Sequence, residues 1–95
     1  MAAYFIVNVE VTDPERYAEY IRAAPPTIAK YGGRYLVRGG TAQRVEGSWA
    51  PKRVVILEFE TLEQARQWWA SEEYRAPKAL RQATSVTDMI LVQGV

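Results

Sequence analysis

The sequence predicts one α+β domain in which two helices pack on one face of a four-stranded antiparallel sheet, in the order βαββαβ. Two observations indicate this arrangement. Stretches in which apolar and polar residues alternate, or which are apolar throughout, are separated by stretches with helical spacing. The chain has 95 residues, 48% of them apolar and 24% charged, which suits a single folded domain over residues 1–95.

The first strand and the first helix follow each other directly. Residues 4–11 alternate so that one face of the predicted strand is wholly apolar. Asp13 then predicts a helix N-cap, with Pro14 at the first helical position. Pro25 and Pro26 both lack the backbone N–H that a helix needs, so we expect the helix to kink or break there.

The second and third strands form a predicted hairpin. Residues 34–38 begin the second strand, which we expect to bulge at Gly39–Gly40 and to continue over residues 41–45. A polar turn follows as the hairpin tip. Residues 53–60 are almost continuously apolar, which is typical of a central strand.

The second half of the chain predicts two helical pieces and a last strand. Residues 61–64 have the pattern of a capping box. We place Trp69 on the helical stripe that faces the sheet and Trp68 at its flank. Residues 71–84 contain a proline and predict a short, broken helix, and residues 86–95 predict the fourth strand.

The residue types that are missing narrow the possible chemistry. The chain has neither Cys nor His, which excludes disulfides, thiolate nucleophiles, a Ser-His-Asp triad and the commonest metal ligands. We therefore predict no metal and no cofactor. A net charge of +1 gives no broad positive field, so we expect neither nucleic acid nor a membrane as a partner. The N-terminus does not resemble a secretion signal, and the default expectation is a cytoplasmic location.

The predicted topology leaves one face of the sheet bare. Right-handed crossovers put both helices on the same face, the ferredoxin-like arrangement. The other face carries apolar residues on several strands, and an apolar patch of that size is expected to be covered by a partner. We therefore expect a homodimer in which two sheets pack face to face, with Trp49 of the hairpin tip as a contact.

Charged residues within the strand patterns are the first candidates for chemistry. Glu58 interrupts the apolar third strand, and Asp88 opens the fourth. A carboxylate in a half-buried sheet can have a raised pKa and act as an acid or base, so we predict catalytic roles for both. Arg34 and Arg38 share a predicted face of the second strand. The simpler interpretation is that Glu58 forms an ion pair with an arginine at the sheet edge or the dimer interface, and we expect Arg38 to be this partner.

Aromatic residues are the second group of candidates. Tyr20, Trp68 and Tyr74, together with Arg38, are predicted to bind a flat ligand, with the tyrosine hydroxyls fixing its orientation. Ordinary core packing is the alternative for aromatic residues at helical spacing, and it applies most strongly to Tyr17 and Trp69.

Three segments of the sequence resemble domain-of-unknown-function family 1330. They are residues 31–40 (YGGRYLVRGG), 53–59 (RVVILEF) and 71–74 (SEEY), and the resemblance runs along nearly the whole chain. It implies a dimeric α/β barrel in which two ferredoxin-like subunits press their sheets together. It implies no reaction, because the family has none assigned.

Enzymes of related architecture include cofactor-independent monooxygenases of polyketide aromatics, haem-degrading monooxygenases and muconolactone isomerases. The resemblance implies a pocket between sheet and helices, as in those proteins. Haem degraders use a His ligand that this chain lacks, whereas oxygenation of an electron-rich phenol needs little more than the pocket. An isomerase would need a base such as Glu58 or Asp88. Three interpretations thus remain: a small-molecule-binding protein of unknown reaction, a cofactor-independent monooxygenase or isomerase acting on aromatic or lactone substrates, and a structural dimer without a ligand.

Overall fold

The computed structural model describes residues 1–95 as four strands and three helices around one sheet. In chain order the elements are β1 (Ala3–Val11), α1 (Pro14–Lys30), β2 (Arg34–Arg38), β3 (Arg53–Phe59), α2 (Leu62–Trp69), α3 (Glu72–Thr84) and β4 (Ser85–Gln93). The strands pair antiparallel in the order β2-β3-β1-β4. The predicted ferredoxin-like fold is confirmed, and β3 is a central strand as its apolar run predicts.

The core lies between the helices and one face of the sheet. Every second residue of β1, from Ala3 to Val9, is buried on this face. Trp68 lies at the centre, and its ring packs against those of Phe5, Phe59 and Tyr74. The prediction that Trp69 faces the core and Trp68 its flank is wrong, because α1 and α3 close over Trp68, which is fully buried, and leave Trp69 half-buried.

Helix α1 continues from Pro14 to Lys30 through its two prolines, so the expected break does not occur. Pro25 has no N–H to donate to the carbonyl oxygen of Ile21. The side chain of Arg38 donates to this oxygen instead, with Nη2 at 3.3 Å. Thr27 Oγ1 also donates to the Ala24 carbonyl at 2.7 Å. Side chains thus donate to two carbonyls of the proline-containing turn, one of which Pro25 leaves without its helical donor.

Helix α3 is also continuous, so the predicted broken helix is wrong. Pro77 is the sixth residue of the helix and removes only one intrahelical hydrogen bond. Ser71 caps the N-terminus by accepting from the backbone N–H of Tyr74 at 3.2 Å. The 13 residues of this helix pack along α1, which compensates for the single lost bond.

Strand β2 contains an irregularity that the sequence did not reveal. The register shifts by one residue between Tyr35 and Val37. Arg34 therefore lies opposite Glu58 on the face without helices, whereas Arg38 lies on the face that carries them. The prediction that the two arginines share a face is wrong, because a shift of one residue moves a strand side chain to the other side of the sheet.

The segment that joins β2 and β3 is a long exposed loop. Gly39 has a φ of 73° and turns the chain out of the sheet, while its N–H still donates to the Val54 carbonyl at 2.8 Å. The expected strand over residues 41–45 does not form. The irregularity of β2 lies between Tyr35 and Val37 and not at Gly39–Gly40 as expected. The loop instead brings Trp49 beside Val54 and Ile6 on the face of the sheet opposite the helices. We call this face, which no helix covers, the open face.

Candidate functional site

A cavity between the sheet and helices α1 and α3 is lined by several arginine and tyrosine side chains. Its volume is about 30 Å³, enough for one or two water-sized groups. Three arginines and three tyrosines lie in its wall, and the remaining lining residues are apolar. The polar residues are Tyr17, Tyr20, Tyr35, Arg38, Arg53 and Arg81.

The three arginines of the cavity have no acidic partner. The ion pairs of the chain all lie elsewhere, namely Lys30–Glu73, Arg34–Glu58 and Arg75–Glu72. No Asp or Glu lines the cavity. An arginine side chain has only donors and is always charged at neutral pH. The cavity is therefore a site of positive charge enclosed by apolar walls.

Arg81 is the most deeply buried of the three, with 4% of its surface exposed. Helix α3 points it inward, where its Nε donates to the hydroxyl of Tyr74 at 3.3 Å. Its Nη2 is buried and has no hydrogen-bond partner. The guanidinium also lies over the ring of Trp69, with Cζ 5.8 Å from the ring centroid. A buried charge without a counter-charge or full hydrogen bonding lowers stability.

Arg53 reaches the cavity from β3, and Gly39 makes room for its guanidinium. A Cβ atom at Gly39 would lie 2.2 Å from Arg53 Nη1, which is closer than contact allows. The Nε atom of Arg53 is buried and, like Arg81 Nη2, has no partner. The absence of a side chain at Gly39, in the turn after β2, thus leaves space for the guanidinium of Arg53 in the neighbouring strand.

Arg38 lies at the mouth of the cavity. Its guanidinium stacks over the ring of Tyr35 at 4.5 Å, a cation–π contact, and donates to the carbonyl of Ile21. Arg38 and Ile21 are both solvent-exposed. The mouth is therefore formed by side chains that can move without unpacking the core.

The tyrosines of the site remain neutral hydroxyls. Burial raises the pKa of Tyr20 far above its usual value, and the adjacent Tyr74 raises it further. Burial also raises the pKa of Tyr17, although the charges of Arg53 and Arg81 oppose it, and of Tyr35. Protonated phenols donate or accept hydrogen bonds but cannot remove a proton at neutral pH. The cavity therefore contains no protein base.

A hydrogen-bonded chain connects α1 and α3 beside the cavity. The hydroxyls of Tyr20 and Tyr74 lie 2.8 Å apart, and Arg81 donates to the second of them. Trp68 stacks on Tyr74, with ring centroids 4.0 Å apart, and its Nε1 donates to Thr27 Oγ1 at 3.0 Å. These contacts hold the inner end of the cavity in place.

The two carboxylates predicted to be catalytic lie on the open face. Glu58 accepts a hydrogen bond from Arg34 Nε at 2.7 Å, so it does pair with an arginine. The partner is not Arg38 as expected, because the register shift in β2 puts Arg38 on the other face. Asp88 is exposed and lies opposite Asn8 of β1. Neither side chain reaches the helix-side cavity, and the catalytic roles of both stay predictions.

Of the four predicted ligand-binding residues, two line the cavity directly. Tyr20 and Arg38 are in its wall, whereas Tyr74 supports it from behind and Trp68 belongs to the core. Sequence reasoning missed Arg53 and Arg81. The signal for Arg53 was its place in the alternation of β3 with Val55 and Leu57 on the helix-facing side. Arg81 gave no usable signal while α3 was expected to be irregular.

A second, wider groove lies on the open face beneath the β2–β3 loop. Its volume is about 530 Å³, and its walls include Ile6, Val54, Ile56 and Trp49. The charged residues at its edge, Arg44 and Glu46, are exposed on the loop, so no buried polar groups converge there. The groove has the character of a contact surface, and the helix-side cavity is the candidate site.

The chain contains neither a metal-binding cluster nor a membrane-spanning helix. No three Asp or Glu side chains come close enough together to hold a metal ion. None of the helices combines the length and the apolar composition needed to cross a bilayer.

The amino-acid sequence also matches a known protein family. Over residues 2–95 the sequence matches the family described as "Domain of unknown function (DUF1330)". The chain belongs to this family. The resemblance that the three sequence segments indicated is thereby confirmed. No curated protein sequence matches this DUF1330 chain.

Solved structures share the fold of the DUF1330 chain at low sequence identity. A protein of unknown function from Rhodopseudomonas palustris is 19% identical and superposes with a TM-score of 0.81, covering 99% of this chain and 82% of that one. SnoaB, a cofactor-independent oxygenase from Streptomyces nogalater, is 11% identical with a TM-score of 0.68, covering 99% and 93%. An ethyl tert-butyl ether D (EthD) family protein from Bacillus halodurans is 14% identical with a TM-score of 0.59, covering 100% and 99%. These similarities establish the fold, that of the ferredoxin-like dimeric α/β barrels.

Proposed function

We propose that this chain is a homodimeric binding domain for a small molecule, with the ligand in the cavity between sheet and helices. The observation that carries the proposal is the pair of buried donors without partners, Arg53 Nε and Arg81 Nη2, on residues that line this cavity. An unpaired buried donor costs about 1–3 kcal/mol, and more when the group is charged. A core that served packing alone would gain nothing from this cost, whereas a ligand that accepts these hydrogen bonds recovers it.

The size of the cavity determines how a ligand has to lie. The enclosed volume of about 30 Å³ takes only a small polar group. The body of a larger molecule then extends to the mouth, beside Ile21 and Arg38. The hydrogen bond from Arg38 to the Ile21 carbonyl is long, at 3.3 Å, so the guanidinium can exchange it for a bond to the ligand.

The test is a ligand screen read at the cavity itself. The purified protein is mixed with a library of small acids, amides, alcohols and phenols, and its melting temperature and amide NMR spectrum are recorded. We expect at least one compound class to raise the melting temperature and to shift the signals of Tyr17, Tyr20 and Arg81 saturably. If no compound shifts these signals, the interpretation as a structural dimer without a ligand replaces this proposal.

The homodimer in this proposal is supported by the open face. Val86 and Ile90 of β4 are 62% and 58% exposed, and Trp49 above them is 62% exposed. Together with the groove beneath the β2–β3 loop they form an apolar surface that a second copy of the same face would cover. The shared fold of dimeric α/β barrels supports the same partner. A cytoplasmic location stays a prediction from the sequence.

A cofactor-independent monooxygenase is the second candidate function. It is supported by the structural similarity to SnoaB, which is described as a cofactor-independent oxygenase. The cavity has cations and neutral hydroxyls but no base, which suits a substrate that is electron-rich without help from the protein. An isomerase is less well supported, because moving a proton needs a base and the carboxylates lie on the open face. Oxygen uptake with naphthols and hydroquinones tests this candidate, and the absence of enzyme-dependent uptake would leave binding alone.

A further inference from the structure

The geometry points to an organic oxyanion as the ligand of this cavity, a small carboxylate or phenolate whose charged oxygen lies between Arg81 and Arg53. This inference rests on the proposed function, because it specifies the ligand of the same site. It assigns to Arg81 and Arg53 a role in binding that neither the family nor the fold supplies.

The first argument is the balance of charge. Three guanidinium groups and no carboxylate line the cavity, although the whole chain has a net charge of only +1. The groups that face it are Tyr17 and Tyr20 from α1, Tyr35 and Arg38 from β2, Arg53 from β3 and Arg81 from α3. All of them are cationic or neutral. Arg38 is exposed to solvent, whereas Arg53 and Arg81 each have a buried nitrogen without a partner, and a bound anion would offset the charge of these two.

The second argument is the direction of the hydrogen bonds. Guanidinium nitrogens only donate, so the missing partners of Arg81 Nη2 and Arg53 Nε have to be acceptors. An ionised oxygen accepts from several donors at once and forms stronger bonds with a guanidinium than a neutral carbonyl does. The donors thus favour an oxyanion over an amide or an alcohol of the same shape.

The third argument is the shape of the site. The enclosed volume accommodates the oxygens of an acid group, and Val9, Leu57 and Met89 form an apolar wall beside it. Towards the mouth lie Ile21 and the cation–π pair of Arg38 and Tyr35. A ligand with one acidic end and a small apolar or aromatic body fits a site that has arginines at its inner end and apolar and aromatic side chains towards its mouth.

The experiment compares acids with their neutral amides. The protein is titrated with acetate and acetamide and with benzoate and benzamide, and chemical shifts at the cavity are followed by NMR. We expect saturable shifts with at least one acid and an affinity at least about tenfold weaker for its amide. Amides that bind as tightly as the acids would overturn the inference and leave the cavity as a neutral ligand site. If neither series binds while another library compound does, the inference fails and the proposed function stands.

Variants assign the effect to the buried arginine. Arg81→Met removes the charge and keeps most of the side-chain volume, and Arg75→Met removes an exposed arginine of the same helix. We expect the first variant to lose at least about tenfold in affinity for the acid and the second to bind like the wild type. Arg53→Met provides the same test from β3 if Arg81→Met does not fold. Unchanged affinity in a folded variant of either cavity arginine would overturn the assignment.

A phenol arm distinguishes the two oxyanions. Ionised 4-nitrophenol absorbs visible light and the neutral form does not, so its spectrum reports the charge of the bound molecule. A bound nitrophenol that is ionised to a greater extent than in buffer at the same pH identifies a phenolate site. Binding of benzoate without this spectral change identifies a carboxylate site. A bound nitrophenol that becomes more protonated than in buffer contradicts stabilisation of an anion.

Discussion

Arg81 carries a positive charge into the core, and no carboxylate lies against it. It makes one side-chain hydrogen bond, to the hydroxyl of Tyr74, and leaves Nη2 unpaired. The packed aliphatic part of the side chain contributes as any apolar side chain does, but the guanidinium gives up hydration without full compensation. We therefore expect this residue to reduce the stability of the free protein, and the proposed ligand would supply the missing acceptor.

Replacing Arg81 by Met is expected to stabilise the free protein. Replacement of a buried ion pair by apolar residues of similar volume is often neutral or stabilising by about 1–4 kcal/mol, and Arg81 lacks even the counter-charge of such a pair. We expect an increase within this range for Arg81→Met, measured by urea unfolding. Arg75→Met is the matched control and should change the free energy of unfolding by less than about 0.5 kcal/mol. A clear loss of stability in Arg81→Met would show that the hydrogen bond to Tyr74 is the main role of the arginine.

Gly39 has both a positive φ and a close contact at the position of a Cβ atom, whereas Gly40 and Gly47 differ from it in one or both respects. It has a φ of 73°, and an added Cβ would collide with the guanidinium of Arg53. Gly47 has a φ of 83° but nothing within 4 Å of the added atom. Gly40 has neither constraint. The three positions thus differ in backbone strain and in contact with the site.

Alanine substitutions at these glycines should therefore separate stability from binding. Gly39→Ala and Gly47→Ala are each expected to lose about 1 kcal/mol of unfolding free energy from the strained backbone, whereas Gly40→Ala should not. Only Gly39→Ala should also weaken binding of the acid ligand, because it displaces Arg53. The measurements are urea unfolding and the benzoate titration. Equal binding by the Gly39 and Gly47 variants would mean that Arg53 does not need its present position.

At the scale of elements, an ion pair and a hydrogen bond tie the end of α1 to the beginning of α3. Glu73 accepts from the ammonium of Lys30 and, at 2.8 Å, from the hydroxyl of Tyr31. Lys30, and after it Tyr31, hold the pKa of Glu73 at about 2, well below its usual value of 4.5. The same two helices contribute residues to the wall of the cavity, although Lys30, Tyr31 and Glu73 do not line it.

The depressed pKa of Glu73 predicts how stability depends on pH. A carboxylate whose pKa is lower in the folded state stabilises the fold above its unfolded pKa and loses this effect as the pH falls towards the folded value. The contribution should therefore disappear between about pH 5 and pH 2. We expect the melting temperature of the wild type to fall more across this range than that of Glu73→Gln.

Salt and a neighbouring carboxylate serve as controls for this effect. Lys30 is largely exposed, so added salt should reduce the difference between wild type and Glu73→Gln. Glu72→Gln removes the adjacent carboxylate, whose only ion pair is with exposed Arg75, and should retain the acid sensitivity of the wild type. Identical acid sensitivity in Glu73→Gln and the wild type would contradict the stabilising role of this contact.

At the scale of the whole molecule, the two faces of the sheet have different surroundings. One face packs against three helices and holds the cavity, and the other presents apolar side chains to solvent in the single chain. Ile90 lies at this open face, opposite Ile6 in the neighbouring strand. A charge placed there would be buried without a partner in a dimer formed by two open faces.

Ile90→Glu should therefore convert a dimer into a monomer. Sedimentation velocity at micromolar concentration should show a dimer for the wild type and a monomer for the variant. Gln67→Glu, which adds the same charge on an exposed position of α2, should remain dimeric. A monomeric wild type would contradict the proposed dimer, and a dimeric Ile90→Glu would place the interface elsewhere.

Much of the fold could be predicted from the sequence because its determinants are local. Alternation in β1, the capping residues Asp13 and Thr61, and the apolar run of β3 each act over a few neighbouring residues. The order of these elements and the preference for right-handed crossovers then allow few topologies. The sequence by itself therefore determined a ferredoxin-like sheet with one face free of helices.

Only the tertiary structure decided which side chains meet. The Ile21 carbonyl, which Pro25 leaves without its helical donor, accepts a hydrogen bond from Arg38, a residue distant along the chain. One extra residue in β2 moved Arg38 to the face of the cavity, and the continuous α3 brought Arg81 there. Such contacts depend on register and on helix continuity, which are set by the packing of the whole chain and not by any short segment. The charged cavity is for this reason visible only in three dimensions.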